Sequence, residues 1–392
     1  MVLQVIRNWS IPTPAVKNDS QQLACDGDMH KIKYGMRTLM KRPILQHRPF
    51  VTLFAGMALS MGLYIGTIPT AQAAEQVVNV YSYRQPFLIK PLIKAFETAT
   101  GASVKIIFSK NGLLQRLKAE GINSPADVVL TADINRMAQF QTEGLLQPVT
   151  SSVLNSNIPS QYRHPEDMWF GLTMRARVIY AHKTRVKANE VLTYEDLAKP
   201  RMKGRICMRS GKHPYNISLL ASIIAAKGPD LAEQWLRGVK SNLARRPQGN
   251  DRAQVKAIYH GECDVSVGNS YYFGKMLTNA KKPDEQASAQ AVNIIFPNQN
   301  DRGTHVNVSA IAMTKSAKHK ALAQSLMEFL SSQETQGLFA AENFEYPLLA
   351  GVKIDPLVAS WGTFKADSTN LERIVYFHNA ASRMMDKVNF DH

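Results

Sequence analysis

Cysteine is nearly missing, with three in 392 residues. That excludes a disulfide-built scaffold, and without a CxxC or clustered Cys/His spacing there is no zinc-site signature. The G-x-S-x-G of a nucleophile elbow, the HExxH of zinc peptidases and the Walker A phosphate loop are absent too, so the commonest sequence grounds for assigning catalysis are gone. Blocks of like charge are also lacking. The chain is basic, with 47 Lys and Arg against 31 Asp and Glu, yet its charges run no longer than doublets such as Arg245-Arg246 and Lys281-Lys282, so a nucleic-acid partner has no footing. The one long apolar run, Phe50 to Ile65, is interrupted by Gly56, Ser60 and Gly62 and closed by Pro69. It falls short of the roughly 20 apolar residues of a membrane-spanning helix.

That run sits in a recognisable order. Lys41-Arg42 and Arg48 precede it, and Pro69-Thr70-Ala71-Gln72-Ala73 follows with an A-x-A end. The pattern predicts a secretory leader cleaved near Ala73 and a periplasmic mature chain, with a membrane anchor as the alternative. Met36 or Met40 would be a natural start for such a leader, which makes residues 1–35 an extension. No cysteine beside the cleavage site offers a lipid acceptor. Removing residues 1–73 takes away eight Lys and Arg and three Asp and Glu, leaving 39 against 28 and a net charge of +11. Scattered positive charge of this size gives a weak field favouring anions.

A mature chain of this length with 45% apolar residues is expected to fold as about two lobes. Short apolar strands alternate with amphipathic helices: Val77 to Ser82, helix Phe87 to Thr100 stopped by Gly101, strand Ser103 to Phe108, helix Leu113 to Gly121, strand Asp127 to Leu130. Such alternation predicts βαβ units and a parallel sheet. A second set follows, with strands Arg177 to Ala181, Gly204 to Met208 and Asp264 to Val267, and helices from about Asn216 to Ala226 and Leu231 to Val239. Ligands of open α/β sheets bind beyond the carboxyl ends of the strands. The loops to watch are therefore Tyr83 to Pro86, Lys110 to Gly112 and Thr131 to Ile134.

Phe96-Glu97-Thr98-Ala99-Thr100-Gly101, Ser124-Pro125-Ala126-Asp127-Val128, Gly261-Glu262-Cys263-Asp264-Val265 and above all Asn269-Ser270-Tyr271-Tyr272 resemble the ferric-ion-binding proteins of bacterial iron-uptake ABC transporters. The likeness runs from about Val78 to Val352. It implies an α/β fold of two lobes, a type II, transferrin-like solute-binding clamp with a hinge. The expected division is residues 1–73 as extension and leader, 74–177 as the first part of the N-lobe, 178–300 as the C-lobe, 301–352 as the return to the N-lobe, and 353–392 as C-terminal helices packing on the C-lobe. It also implies a monomeric binding protein rather than an enzyme, and an inner-membrane ABC permease and its ATPase as partners.

Ferric iron is a hard cation that prefers anionic oxygen to thiolate or neutral imidazole. Phenolate meets that need, although a free phenol has a pKa near ~10 and must lose its proton on binding. Tyr271 and Tyr272 follow a strand end, with Gly268 and Asn269 turning the chain and Ser270 placed to cap a helix. Adjacent helical side chains diverge by about 100°, so both phenols reach one ion only where the chain enters the helix. Tyr215, in His213-Pro214-Tyr215-Asn216, precedes an apolar helix whose N-terminal N–H groups suit an anion. Members of the resembled family commonly hold iron with a synergistic anion, here expected to be carbonate. Many also carry a histidine, or a His-Tyr pair, after the first strand. This chain has Tyr83-Arg84-Gln85-Pro86 there, with Gln85 near the histidine position, and is closest to a three-tyrosine variant. Arg84 offers a planar fork for the anion. Gln85, Asp133 and Asn250 are the remaining candidates for anion contacts or for support behind the ligands, and Tyr83, His213 and His305 are alternative ligands. Cys207 and Cys263 lie on strands of one lobe, either bridged or free. A related receptor for an organic ligand such as a polyamine, thiamine or phosphonate is the competing reading.

Overall fold

The structure, a computed structural model, describes residues 76–392. The expected leader and its cleavage near Ala73 lie outside the described residues. Among the described residues no helix is long and apolar enough to cross a membrane.

Among the described residues nine strands organise the fold: β1 (Val77–Ser82), β2 (Ser103–Phe108), β3 (Val128–Thr131), β4 (Phe170–His182), β5 (Ile206–Cys207), β6 (Val265–Asn269), β7 (Val292–Ile295), β8 (Val306–Met313) and β9 (Tyr346–Pro347). They are ordered β2-β1-β3-β8-β4-β6-β5, with β7 and β9 also paired to β4. The expected βαβ units exist, since β1 pairs in parallel with β2 and with β3. The sheet is mixed rather than parallel, however. β8 runs antiparallel to β3 and β4, and β6 antiparallel to β4. The reason is that β8 arrives from the second half of the chain after a long excursion, so no right-handed crossover constrains its direction.

The long strand β4 is the spine. This thirteen-residue strand pairs along its first half, Phe170 to Ala176, with β8 and along its second half, Arg177 to Ala181, with β6. Its residues are almost all buried, as expected of a strand covered on both faces. A β-strand sends alternate side chains to one face, so Thr173, Arg175 and Arg177 form a row along it. Each is buried and each finds a polar partner, as buried polar groups must. The core around the spine is aromatic, with Trp169, Tyr81, Tyr180, Tyr194, Phe96, Phe140, Phe170 and Phe339 all fully buried.

Two elements carry the chain to the phenols. The helix Pro214–Lys227 follows β5 by a short loop, with His213 as its N-cap. The helix Ser270–Leu277 follows β6 directly, with Asn269 as its N-cap. Ser270 is the first helical residue rather than the cap. Cys207 and Cys263 are joined by a disulfide, which ties the end of β5 to the approach to β6. The long C-terminal helix Leu371–Lys387 packs on the helix Pro214–Lys227, and its first turn reaches Trp169, whose Nε1–H donates to Glu372 at 3.0 Å.

Candidate metal centre

Tyr215, Tyr271 and Tyr272 come together. The Tyr215 and Tyr271 hydroxyl oxygens are 3.3 Å apart, although 56 positions separate them in sequence. The Tyr271 and Tyr272 rings lie with centroids 4.2 Å apart at 36°. Adjacent side chains converge this way because both belong to the first turn of the helix, where the chain has just left β6. The turn depends on Gly268. A Cβ there would stand 2.1 Å from Cε2 of Tyr180, whose hydroxyl donates to the Asn269 carbonyl at 2.7 Å.

Cations surround the phenols. Arg177 and Arg209 lie 5.8 and 5.5 Å from the Tyr215 ring centroid, Arg252 lies 5.5 Å from that of Tyr272, and Lys275 Nζ is 5.5 Å from that of Tyr271. Arg177 and Arg209 are held by Asp251, a fully buried carboxylate. Arg177 donates to its Oδ1 at 2.6 Å, Arg209 to its other oxygen, and the Asn269 N–H also donates to Oδ1, at 3.2 Å. The two guanidinium groups, with the Asn269 N–H bond, hold the Asp251 carboxyl below its usual range despite burial. Arg177 further donates to Asn269 Oδ1 at 3.0 Å and to Asn216 Oδ1 at 2.6 Å. One carboxylate therefore fixes two cations against Tyr215 and ties together the starts of both tyrosine-bearing helices.

The phenols keep some accessible surface but are walled by protein on most sides. Burial raises the Tyr271 phenol well above its ordinary value, with Tyr215 and Tyr272 adding to the effect and Arg175 opposing it. Tyr272 is pushed up to about 12 by burial, then by Tyr215 and Asp251, against a hydrogen bond from Tyr271 and the charge of Arg209. Desolvation outweighs the ring of cations. Both phenols are protonated at neutral pH in the metal-free protein, so any cation bound by them would have to displace their protons.

The helix N-terminus at Tyr215 differs from expectation. Pro214 has no N–H, the Tyr215 N–H is accepted by His213 Nδ1 at 3.2 Å, and the Asn216 and Ile217 N–H groups are accepted by the His213 carbonyl at 2.9 and 3.1 Å. The first turn has no free donor for an anion, because the cap is a histidine folded back on its own helix. An anion beside Tyr215 has to be held by side chains instead.

The other candidates divide. Arg84 is buried, with Nη1 donating to Ser309 Oγ at 2.8 Å and Nη2 to Glu345 at 2.9 Å, and its guanidinium lies 4.6 Å from the Phe339 ring centroid. Burial lowers its pKa, and Glu345 opposes that. Asp133 is also buried and caps the helix Ile134–Thr142, accepting from the Asn135 N–H at 2.9 Å and from Asn307 Nδ2 at 2.9 Å. Asn250 is exposed and caps the helix Asp251–Tyr259 through the Ala253 N–H at 3.1 Å. Gln85 is exposed at the start of the helix Pro86–Thr100 and caps nothing with its side chain. Among the described residues no hydrogen bond, ion pair or ring contact joins Gln85 or Asn250 to the phenols. Of the alternative ligands, Tyr83 accepts the Leu114 N–H at 3.1 Å under Arg136, and His305 is buried against Ser218. His213 packs edge-on to Tyr215 at 4.6 Å. Burial, with Arg209 and Arg177 adding, lowers the His213 imidazole to about 3. Among the described residues no group of three or more His, Cys, Asp and Glu side chains is arranged to hold a metal.

Sequence reasoning missed Asp251, Arg175, Arg177, Arg209 and Lys275. Alternation along β4 could have found the two strand arginines, had the strand been read back to Phe170.

A family model described as bacterial extracellular solute-binding protein matches residues 123–366. The chain belongs to this family. Iron uptake protein A1 of Synechocystis sp. is similar at 41% identity over 356 residues, 88% of this chain and 99% of that protein. The structure is similar to that of Mannheimia haemolytica ferric iron-binding protein A in an open conformation, at 49% identity and a TM-score of 0.78, covering 81% of this chain and 99% of that one. It is equally similar to a Trichodesmium protein, IdiA or FutA, in complex with iron and citrate, at 43% identity and a TM-score of 0.78, covering 80% and 99%. In this solute-binding protein, then, the phenol cluster stands in a two-lobed α/β clamp whose similar structures are ferric-binding proteins.

Proposed function

We propose that this chain captures ferric iron in the periplasm through Tyr215, Tyr271 and Tyr272, with a small oxyanion such as carbonate completing the coordination, and delivers it to an inner-membrane ABC permease and its ATPase. The observation that carries the reading is the 3.3 Å approach of the Tyr215 and Tyr271 hydroxyls beside the Tyr272 ring, in a chain with iron-binding relatives. Three phenolates neutralise a trivalent ion, and oxygen donors suit its hardness. The surrounding guanidinium and ammonium groups leave excess positive charge, so an anion is welcome beside the metal. Arg175, whose charge opposes the rise of the Tyr271 phenol, and Arg84 replace the helix N-terminus as its seat. An exported leader, cleaved near Ala73, brings the chain to its compartment.

The test is ferric citrate added to the purified protein. The expected result is a visible phenolate-to-iron charge-transfer band that saturates at one iron per chain and vanishes in Tyr271→Phe while far-ultraviolet circular dichroism is unchanged. A protein that stays colourless and carries no metal after exchange would refute the reading and leave an organic ligand in its place. Tyr271→Phe with wild-type colour and affinity would refute the ligand assignment alone.

A further inference from the structure

The last residues of the chain fold back from the C-terminal helix onto the loop that leads to Tyr215. Asn389, in the left-handed region at φ 53°, reverses the chain after the helix Leu371–Lys387. Asp391 then accepts from Ser210 Oγ at 2.5 Å and from the Gly211 N–H at 2.6 Å. Phe390 is 2% exposed and occupies the space that a side chain at Gly211 would need: a Cβ there would stand 2.7 Å from Phe390 Cδ1 and 2.9 Å from Met385 Sδ. Lys240 Nζ fastens the turn by donating to the carbonyls of Val388 at 3.0 Å and Asn389 at 2.7 Å.

The gripped loop is short and rigidly linked to the phenol. Asn216 Nδ2 donates to the carbonyls of Arg209 and Ser210, each at 3.1 Å. The His213 N–H donates to the Ser210 carbonyl at 3.1 Å, and His213 in turn caps Tyr215. A metal ligand carried by a loop binds well only if the loop is ordered before the metal arrives, because ordering it afterwards subtracts from affinity. Residues outside the coordination sphere that orient ligands typically change metal affinity by roughly ten- to a hundred-fold when removed.

We propose that the segment Val388–His392 is a brace that holds the Tyr215 loop in its metal-binding form, with Asp391 as the positioning residue. The proposal rests on the reading of Tyr215 as an iron ligand. Neither Asp391 nor Phe390 touches the phenols, so their effect passes through Ser210, Gly211 and His213.

The experiment compares Asp391→Ala, Asp391→Asn and Tyr215→Phe in the mature chain, with ferric citrate as the iron source. It reads the charge-transfer band, the affinity by citrate competition, and thermal unfolding of the metal-free protein. Asp391→Ala is expected to unfold within a few degrees of wild type, to bind iron about ten-fold more weakly and to shift the band. Asp391→Asn, which keeps an oxygen for the Gly211 N–H, is expected to recover most of both. Wild-type affinity and an unmoved band in Asp391→Ala would overturn the brace. So would equal losses in both Asp391 variants with a collapse of metal-free stability, since that marks a purely structural role. If Tyr215→Phe leaves band and affinity intact, the ligand reading falls and the brace with it; if Tyr215→Phe weakens binding and Asp391→Ala does not, only the brace falls.

Discussion

Tyr271 and Asp251 do opposite things with buried charge. Tyr271 is neutral in the metal-free protein and, on the proposed function, loses its proton to the metal, whereas Asp251 is ionised between Arg177 and Arg209 at neutral pH. Removing Asp251 strands two guanidinium groups in the interior, and breaking such a buried pair costs ~3–5 kcal/mol. Asn250, one residue earlier, only caps an exposed helix end, a role worth about 1 kcal/mol. Urea unfolding of Asp251→Ala and Asn250→Ala should separate the two by that margin. The pH dependence follows from the same contrast. The Tyr271 and Tyr272 pKa values are raised, so below them the metal-free phenols hold protons that iron must expel. Apparent iron affinity therefore rises with pH and falls on acidification, and across about pH 6 to 8 the slope in Tyr272→Phe should be shallower by about one proton. Citrate-competition titrations at several pH values would show it. The tyrosine pair was legible because its members are adjacent and follow a strand end. Asp251 was not, because its importance lies in Arg177 and Arg209, each about 40 or more positions away, which only the fold brings to it.

At the scale of elements, two features hold the tyrosines in register. The close pass of the Tyr180 ring over Gly268 is one. Gly268→Ala forces at least one of them to move, and the turn from β6 into the helix Ser270–Leu277 moves with it; the expected outcome is loss of the charge-transfer band together with a lowered melting temperature. The Cys207–Cys263 disulfide is the other. Its 56-residue separation corresponds to about 4 kcal/mol of chain-entropy stabilisation, which a reduced sample or Cys207→Ala should lose in denaturant unfolding. The short strands and helices before Leu130 were readable from periodicity alone, because each has a polar stop such as Gly101. The first half of β4 was not. Leu172 to Arg177 does alternate apolar and polar residues, but the polar face is buried, and the arginine at 175 reads as a surface residue until its partners are known. The direction of β8 was equally hidden, since local pattern says nothing about which strand a distant segment will join.

For the molecule as a whole, iron should act as a stabiliser in proportion to its affinity. A ligand that binds only the folded state at a thousand times its dissociation constant adds about 4 kcal/mol. The melting temperature should therefore climb with added ferric citrate in wild type and stay flat in Tyr271→Phe, whose metal-free melting point should be close to that of wild type. Differential scanning calorimetry would read both. The shared strand adds a practical constraint. Because β4 supplies backbone partners to β6, β7, β8 and β9 at once, no part of the sheet on either side of it can be excised as a free-standing fragment without baring an unpaired edge. A split reporter or a circular permutant of this protein must open the chain elsewhere, for example at the exposed Lys281-Lys282 turn, and leave the spine uncut.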